Sequence, residues 1–212
     1  MKGIVILFSL FICLSCNHPE NCSQVNLGLL PLGKIKLANM ITVKNALEKY
    51  YGFNVVLLPE TVLPPNAFTP VKSPRYRADS LLLYLQKIKP DSVNYIMGIT
   101  DADISTTKKD ASGKIKIPVA KYADWGIMGL AFRPGNAAVI STFRIKSSDK
   151  ALFAQRLEKI ALHELGHNLG LPHCPSKSCF MNDANESIST IDNEKTELCS
   201  SCKQHLRGQF AY

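Results

Sequence analysis

The feature that most constrains the fold of this 212-residue chain is the stretch HELGHNLGLPHC at residues 163–174. His163 and His167 are four residues apart, so a helix would present both imidazoles on one face. Gly170 then allows the chain to leave the helix through a left-handed conformation, and the turn that follows can return His173 to the same point. The spacing therefore predicts a helix, a sharp turn and three converging imidazoles.

Three imidazoles that leave a fourth position open are a typical donor set for catalytic zinc. Glu164 lies beside the first of them and is not needed as a ligand, so its carboxylate can take a proton from metal-activated water and pass it to a leaving amine. We therefore predict a zinc peptidase in which Glu164 is the general base and acid. There are two alternatives to a catalytic site. The histidines could only pack on an amphipathic helix, or they could bind zinc without catalysing a reaction.

A second group of metal-ligating residues begins directly after the third histidine. It comprises Cys174, Cys179, Cys199 and Cys202. The last pair has CxxC spacing, and four thiolates with no open position are typical of structural zinc. In an exported protein the same cysteines could form two disulfides. The spacing favours metal, since bound zinc protects thiolates from oxidation, and two zinc ions per chain are expected.

The complete pattern is HExxHxxGxxHC, four residues, C-x-M, seventeen residues and CxxC. Over residues 163–202 it resembles the archaemetzincins, metzincin-type zinc peptidases with an additional structural zinc. The resemblance implies that His163, His167 and His173 bind the catalytic zinc. It implies that the four cysteines bind the structural zinc and that Met181 forms the Met-turn beneath the imidazoles.

The first fifteen residues predict export. Lys2 precedes an apolar run at 4–14 that is too short for a comfortable membrane span. Leu14-Ser15-Cys16 resembles a bacterial lipobox, although Cys13 stands where an aliphatic residue is usual. We predict a lipoprotein-type signal peptide at 1–15 and a lipid on Cys16 that anchors the protein in the cell envelope. Secretion without lipid and an uncleaved anchor are the alternatives.

Length and composition predict one globular domain at 27–212 behind a tether at 16–26. The formal net charge of +8 could suggest nucleic acid, but the lysines are dispersed and no nucleic-acid motif accompanies them. A peptide or protein substrate is expected instead, with no nucleic-acid partner, and the chain is expected to be a monomer. Cys22 has no assigned role.

Hydrophobic periodicity predicts an α/β fold of mixed α+β type. The expected strands are 27–37, 53–58 and 93–100, the expected helices are 38–51 and 78–89, and the expected loops are 61–74 and 105–116. Ser148 or Asp149 would cap a long helix that carries the zinc histidines. The resemblance implies a metzincin-like twisted mixed sheet with an antiparallel edge strand, backing helices and this long active-site helix.

Two short apolar runs at 127–132 and 137–143 predict a hairpin. By the resemblance its first strand is the edge that lines the cleft. Substrate would then pair with the main chain of Ile127, Met128, Gly129, Leu130 and Ala131. Trp125 either lines this cleft or packs in the core.

The pocket that would select substrate side chains is expected within 180–191. An aminopeptidase would also need an acidic group that receives the free amine of its substrate. Asp183, Glu186 and Asp192 are unranked candidates, so the choice between endopeptidase and aminopeptidase stays open.

Overall fold

A computed structural model describes residues 24–184 and 187–207. The predicted signal peptide at 1–15, the lipidation residue Cys16 and the unassigned Cys22 lie outside the described residues. Among the residues that are described, no helix is both long enough and apolar enough to cross a membrane.

Strands and helices are interspersed up to residue 141, and three α-helices follow in the rest of the described chain. The strands are β1 (Asn26–Pro31), β2 (Asn54–Leu57), β3 (Phe68–Thr69), β4 (Arg75–Arg77), β5 (Tyr95–Thr100), β6 (Ile104–Thr106), β7 (Trp125–Ile127), β8 (Gly129–Ala131) and β9 (Ala137–Ser141). The helices are α1 (Leu37–Tyr51), α2 (Ala78–Ile88), α3 (Val119–Tyr122), α4 (Lys150–Asn168), α5 (Ile188–Asn193) and α6 (Ser200–Arg207). Short 3₁₀ turns lie at Pro65–Ala67 and Phe143–Ile145.

The central sheet has five strands in the order β2-β1-β5-β9-β8. All neighbouring pairs are parallel except β8 and β9, which run antiparallel and leave β8 at the edge. This is the mixed sheet with an antiparallel edge strand that the sequence predicts. The mixed α/β class is therefore confirmed.

Both faces of the sheet are buried, because alternate side chains of each strand enter different cores. Leu27 and Leu29 of β1 pack with residues of α1 and α4 on one face. Leu30 and Leu32 belong to the second core, which includes Leu81 and other α2 residues. The long helix α4 is thereby fixed against the sheet, and its N-terminus is capped by the Asp149 carboxylate, which accepts from two main-chain N–H groups.

A second sheet, in the order β3-β4-β6-β7, was not predicted from the sequence. Its strands are two or three residues long, and charged residues hold them together. Asp103 accepts two hydrogen bonds from Arg144, at 2.7 and 2.8 Å, and lies 3.3 Å from the Arg75 guanidinium. Asp124 lies 3.6 Å from Arg75 on the other side. The segment predicted as a loop at 105–116 thus begins inside a strand.

The predicted edge strand at 127–132 is divided between the two sheets. Ile127 ends β7 and pairs with Ile104 in the second sheet, whereas Gly129, Leu130 and Ala131 form β8 and pair with β9. Met128 lies between them, and its carbonyl accepts from the Ser141 N–H at 2.8 Å. Only the last three of the five predicted pairing residues therefore lie on the antiparallel edge of the central sheet. Ile127 lies instead on β7, the antiparallel edge strand of the second sheet.

Candidate active site

Helix α4 and the turn that follows bring the three predicted histidines together. The His163 and His167 ring centroids are 4.6 Å apart, and His173 lies 5.3 and 4.8 Å from them. One nitrogen from each ring lies within 4.8 Å of the others. The turn forms as the spacing predicts, because Gly170 adopts a φ of 90° and the Leu171 N–H donates to the Gly166 carbonyl at 2.9 Å.

Hydrogen bonds determine which imidazole nitrogens face the metal position. His163 Nδ1 lies 2.6 Å from the Phe180 carbonyl oxygen, and His167 Nδ1 lies 2.7 Å from that of Leu171. A carbonyl oxygen can only accept, so both Nδ1 atoms carry the proton. The Nε2 lone pairs of neutral rings are then available to a metal. The third ring differs, since His173 Nδ1 lies 3.6 Å from the Asp183 carboxylate.

Burial keeps these rings neutral. It lowers the pKa of His163 to about 3, helped by the neighbouring His167, and that of His167 to about 4. Burial also lowers the pKa of His173. A neutral imidazole is the form that ligates a metal, so the donor set fits zinc.

Glu164 lies beside the histidines, and its side chain is buried. The residue is 6% exposed and makes no hydrogen bond to any other residue that the structure describes. Burial raises the pKa of this carboxyl to about 8. Its side chain packs against the main chain of Gly129 on the edge strand, where a Cβ atom would overlap the carboxylate and the Cγ atom of Glu164.

Met181 is fully buried beneath the helix, where its sulfur packs against Gly166 between the two helical histidines. Its carbonyl accepts from the Cys174 N–H at 2.7 Å. This hydrogen bond joins the histidine turn to the segment between Cys179 and Cys199.

The four predicted cysteines form a compact cluster of free thiols, and their sulfur atoms lie within 4.8 Å of one another. The Cys174 and Cys199 sulfurs are 3.6 Å apart, too far for a disulfide bond. Sulfur atoms held at about 2.3 Å by one tetrahedral ion lie roughly 3.8 Å apart, so this separation fits a metal. Two main-chain N–H groups, of Ser176 and Cys199, also point at cluster sulfurs at 3.4 Å.

The thiols of this cluster differ in acidity. The Ser201 hydroxyl is the main group that lowers the pKa of Cys199, to about 6, whereas burial raises the pKa of Cys202 and of Cys179. At neutral pH the Cys199 thiol is therefore expected to be a thiolate, which is the form that binds a metal.

The histidines open into a cleft of about 990 Å³ between the two sheets and α4. Its lining includes the edge strand residues Gly129 to Ala131 and the predicted pocket residues Ile188 and Ile191. Trp125 also lines the cleft, where its ring stacks on Tyr122 with centroids 5.1 Å apart. Trp125 was expected either to line the cleft or to pack in the core, and the structure supports the first position.

Lys159 and Glu194 are among the charged residues of the cleft that were not predicted. Lys159 lies one turn before His163 on the same helix face, and this i, i+4 spacing was a signal available in the sequence. Of the three acids considered for an amine, Asp192 uses both carboxylate oxygens on Arg156, each at 2.7 Å. Asp183 lies next to His173, and Glu186 is outside the described residues.

Comparison with known proteins places the chain in a family. Residues 33–208 match Peptidase family M54. The archaemetzincin of Haloquadratum walsbyi is 28% identical over 187 residues, which cover 84% of this chain and 97% of that protein. The crystal structure of archaemetzincin from Methanopyrus kandleri superimposes with a TM-score of 0.73 at 26% identity, covering 92% of this chain and 100% of the other.

A second solved archaemetzincin, from Archaeoglobus fulgidus and complexed with malonate, has a TM-score of 0.68 at 24% identity and covers 85% of this chain and 99% of its own. This likeness confirms the fold. Together with the family match and the converging histidines, it leads to one conclusion: the chain belongs to Peptidase family M54, the archaemetzincins, and its predicted class, zinc metallopeptidase, is confirmed.

Proposed function

We propose that the protein hydrolyses peptide bonds in the cleft above His163 and His167, with Glu164 as general base and acid. The observation that carries this proposal is the Glu164 carboxyl group, which is largely buried beside three converging imidazoles and has no hydrogen-bond partner among the described residues. A purely structural zinc site has no use for such a group, because an unpaired buried carboxylate destabilises the fold. Its position is best explained by a reaction that needs it.

The chain would hold the catalytic zinc through the Nε2 atoms of His163 and His167 and one ring nitrogen of His173. Zinc bound there would act as a Lewis acid on the peptide carbonyl and on the attacking water. Hydrogen bonds from both helical rings to main-chain carbonyls fix the orientation of the donors before the metal arrives. The arrangement therefore costs little reorganisation when the metal binds.

Glu164 moves the proton in this proposal. A carboxylate oxygen of Glu164 accepts a proton from water as the water oxygen bonds to the carbonyl carbon. The same carboxyl then donates this proton to the amide nitrogen as the carbon–nitrogen bond breaks. Burial raises the pKa of Glu164 to about 8 in the metal-free protein, and a nearby dication would lower it towards the range of a base.

The edge strand β8 supplies a surface on which an extended substrate can lie. It pairs with β9 on one side and borders the cleft on the other. Main-chain groups at such an edge can pair with an added peptide strand. Gly129 would then have two functions, since it presents this main chain and leaves space for the Glu164 side chain.

Glu164→Ala should leave the metal bound and lower peptide hydrolysis by about 10²- to 10⁴-fold, as expected when a general base is lost. His167→Ala should lose both the catalytic zinc and activity, because two histidines alone bind zinc poorly. Zinc content by plasma mass spectrometry and cleavage of a peptide library measure the two effects. Zinc-loaded parent protein that cleaves no peptide would instead support a non-catalytic peptide-binding or envelope-interaction module.

Gly129→Ala should displace the Glu164 carboxylate, lower hydrolysis by about 10²-fold and destabilise the protein by about 1–3 kcal/mol. In a Glu164→Ala background the overlap is relieved, so the same substitution should cost much less stability. Denaturant unfolding of the four zinc-loaded proteins measures this coupling. Equal costs in both backgrounds would contradict the contact between these residues.

We also propose that the four cysteines hold a second, structural zinc, so that the chain binds two. Cys199→Ser with Cys202→Ser should remove one zinc and strongly destabilise the fold, because the binding free energy of a structural zinc contributes to folding. Ser200→Ala with Gln204→Ala is the matched control, because both residues are exposed on the same helix, and it should keep both ions. Mass spectrometry that finds one zinc and two disulfides would contradict the four-thiolate site.

We further propose that residues 1–15 are a lipoprotein-type signal peptide, that 16–26 is a tether, and that Cys16 anchors the domain at 27–212 in a bacterial cell envelope. The support is the apolar run and the lipobox-like residues that end at Cys16. A monomer that acts on peptides or proteins, without a nucleic-acid partner, stays a prediction.

Cys16→Ala should release the protein from the membrane fraction or leave it unprocessed, because the acyl chains have no attachment site. Fractionation with immunoblotting and intact-mass analysis measures both outcomes. A cleaved variant that remains in the membrane fraction would exclude lipid anchoring through this residue.

A further inference from the structure

Glu194 is a buried carboxylate in the cleft that the proposed chemistry does not use. It follows the last residue of α5, and its N–H donates to the Thr190 carbonyl at 3.1 Å. The residue is 6% exposed, and one of its carboxylate oxygens is fully buried with no hydrogen-bond partner among the described residues. A buried carboxylate without a partner is costly, so its retention calls for an explanation.

The nearest cation does not satisfy this carboxylate. Lys159 Nζ donates to the main-chain carbonyls of Ile191 at 2.6 Å and Glu194 at 2.7 Å, and lies 3.5 Å from that of Asp192. An ammonium group has three donors, and all three are directed at carbonyl oxygens. Lys159 therefore fixes the end of α5 and makes no hydrogen bond to the Glu194 side chain. Burial raises the pKa of Glu194 to about 8, and the charge of Lys159 opposes this rise.

Apolar side chains are among the residues that line the cleft together with Glu194 and Lys159. Ile160, Ile188 and Ile191 line the same cavity as Glu194 and His163. Lys159, which holds the Glu194 main chain, precedes His163 by four helical residues, about 6 Å along the axis. Glu194 and these apolar residues thus line the same cleft as the candidate metal position.

Such a subsite matches one kind of side chain. Lys and Arg have long aliphatic stems that pack on apolar walls and end in a cation. Hydrogen bonds between such a cation and a carboxylate are among the strongest in proteins. An acidic side chain would be repelled by the Glu194 carboxylate.

We propose that Glu194 forms the base of a substrate subsite that binds the cationic end of a Lys or Arg side chain next to the scissile bond. This inference rests on the proposed peptidase function. It makes Glu194 a specificity-determining residue, and Lys159 a positioning residue that holds α5 in place.

The test measures binding without turnover. Full-length, zinc-loaded Glu164→Ala protein is titrated into fluorescein-labelled, N-acetylated heptapeptides of Gly and Ala with one central Lys, Arg, norleucine or Glu. Norleucine keeps the aliphatic stem of Lys without the charge. Fluorescence anisotropy should show the Lys and Arg peptides binding about tenfold or more tightly than the norleucine peptide, and the Glu peptide weakest.

Adding Glu194→Gln should reduce the preference for Lys over norleucine to within about twofold, as expected when the charge-assisted hydrogen bond is lost. Glu197→Gln is the matched control, because it removes one negative charge at an exposed residue outside this cleft. That variant should keep the preference. Zinc content and unfolding temperature show that each variant is folded.

Three results would overturn the inference. The first is that protein with intact Glu194 binds the Lys and norleucine peptides equally. The second is that the preference for Lys over norleucine survives Glu194→Gln. The third is that Glu197→Gln abolishes this preference as Glu194→Gln does. A different outcome is that a norleucine peptide with a free N-terminus binds more tightly than its acetylated form, while the central Lys adds no affinity. This result would assign Glu194 to the substrate α-amine and so contradict the side-chain subsite.

The failure of this inference is distinct from the failure of the proposed function. Hydrolysis of the same peptides by protein with intact Glu164 tests the function separately. Cleavage without preference for Lys or Arg would overturn the subsite alone. Binding preference without any cleavage would overturn the peptidase proposal alone.

Discussion

The hydrogen bonds from the two helical imidazoles to main-chain carbonyls are the interactions on which the site depends. They connect α4 with Leu171 in the turn and with Phe180 in the segment between the cysteines. Because the acceptors are carbonyls, these bonds fix the tautomer, the ring orientation and the path of the C-terminal segment together. Phe180, fully buried and packed at 5.0 Å from Tyr50 of α1, prevents that carbonyl from moving.

The parts of the structure that could be predicted are those with local sequence signals. Helix α4 has its cap at Asp149, its periodic apolar face and its stop near Gly170. The candidate metal ligands follow from their spacing over residues 163–202. The second sheet has no such signal, because its strands are two or three residues long and come from distant parts of the chain. Charged contacts such as Arg75 with Asp103 hold it together, and these form only after folding.

The same limit explains two features of the cleft that the sequence did not predict. The division of the predicted edge strand at Met128 depends on pairing with β6, which is visible only in three dimensions. Glu194 is one acid in a polar segment, and only burial beside Lys159 distinguishes it from a surface residue. Helix α4 and its contacts thus bury ionisable groups, and burial costs these groups their hydration. Such a loss of folding stability is common at functional sites.

His173 and Cys174 are neighbours in the chain, yet they point into different clusters. One peptide unit therefore connects the open site to the closed one, and the Cys174 N–H is itself held by the Met181 carbonyl at 2.7 Å. A contact that restrains one of these two residues therefore also reduces the number of conformations available to the other. If both clusters hold metal and the binding of one ion orders this shared peptide unit for the other, the first ion would strengthen the binding of the second. Thermodynamic linkage then requires the same factor in the reverse direction, so the protein would load its metals cooperatively.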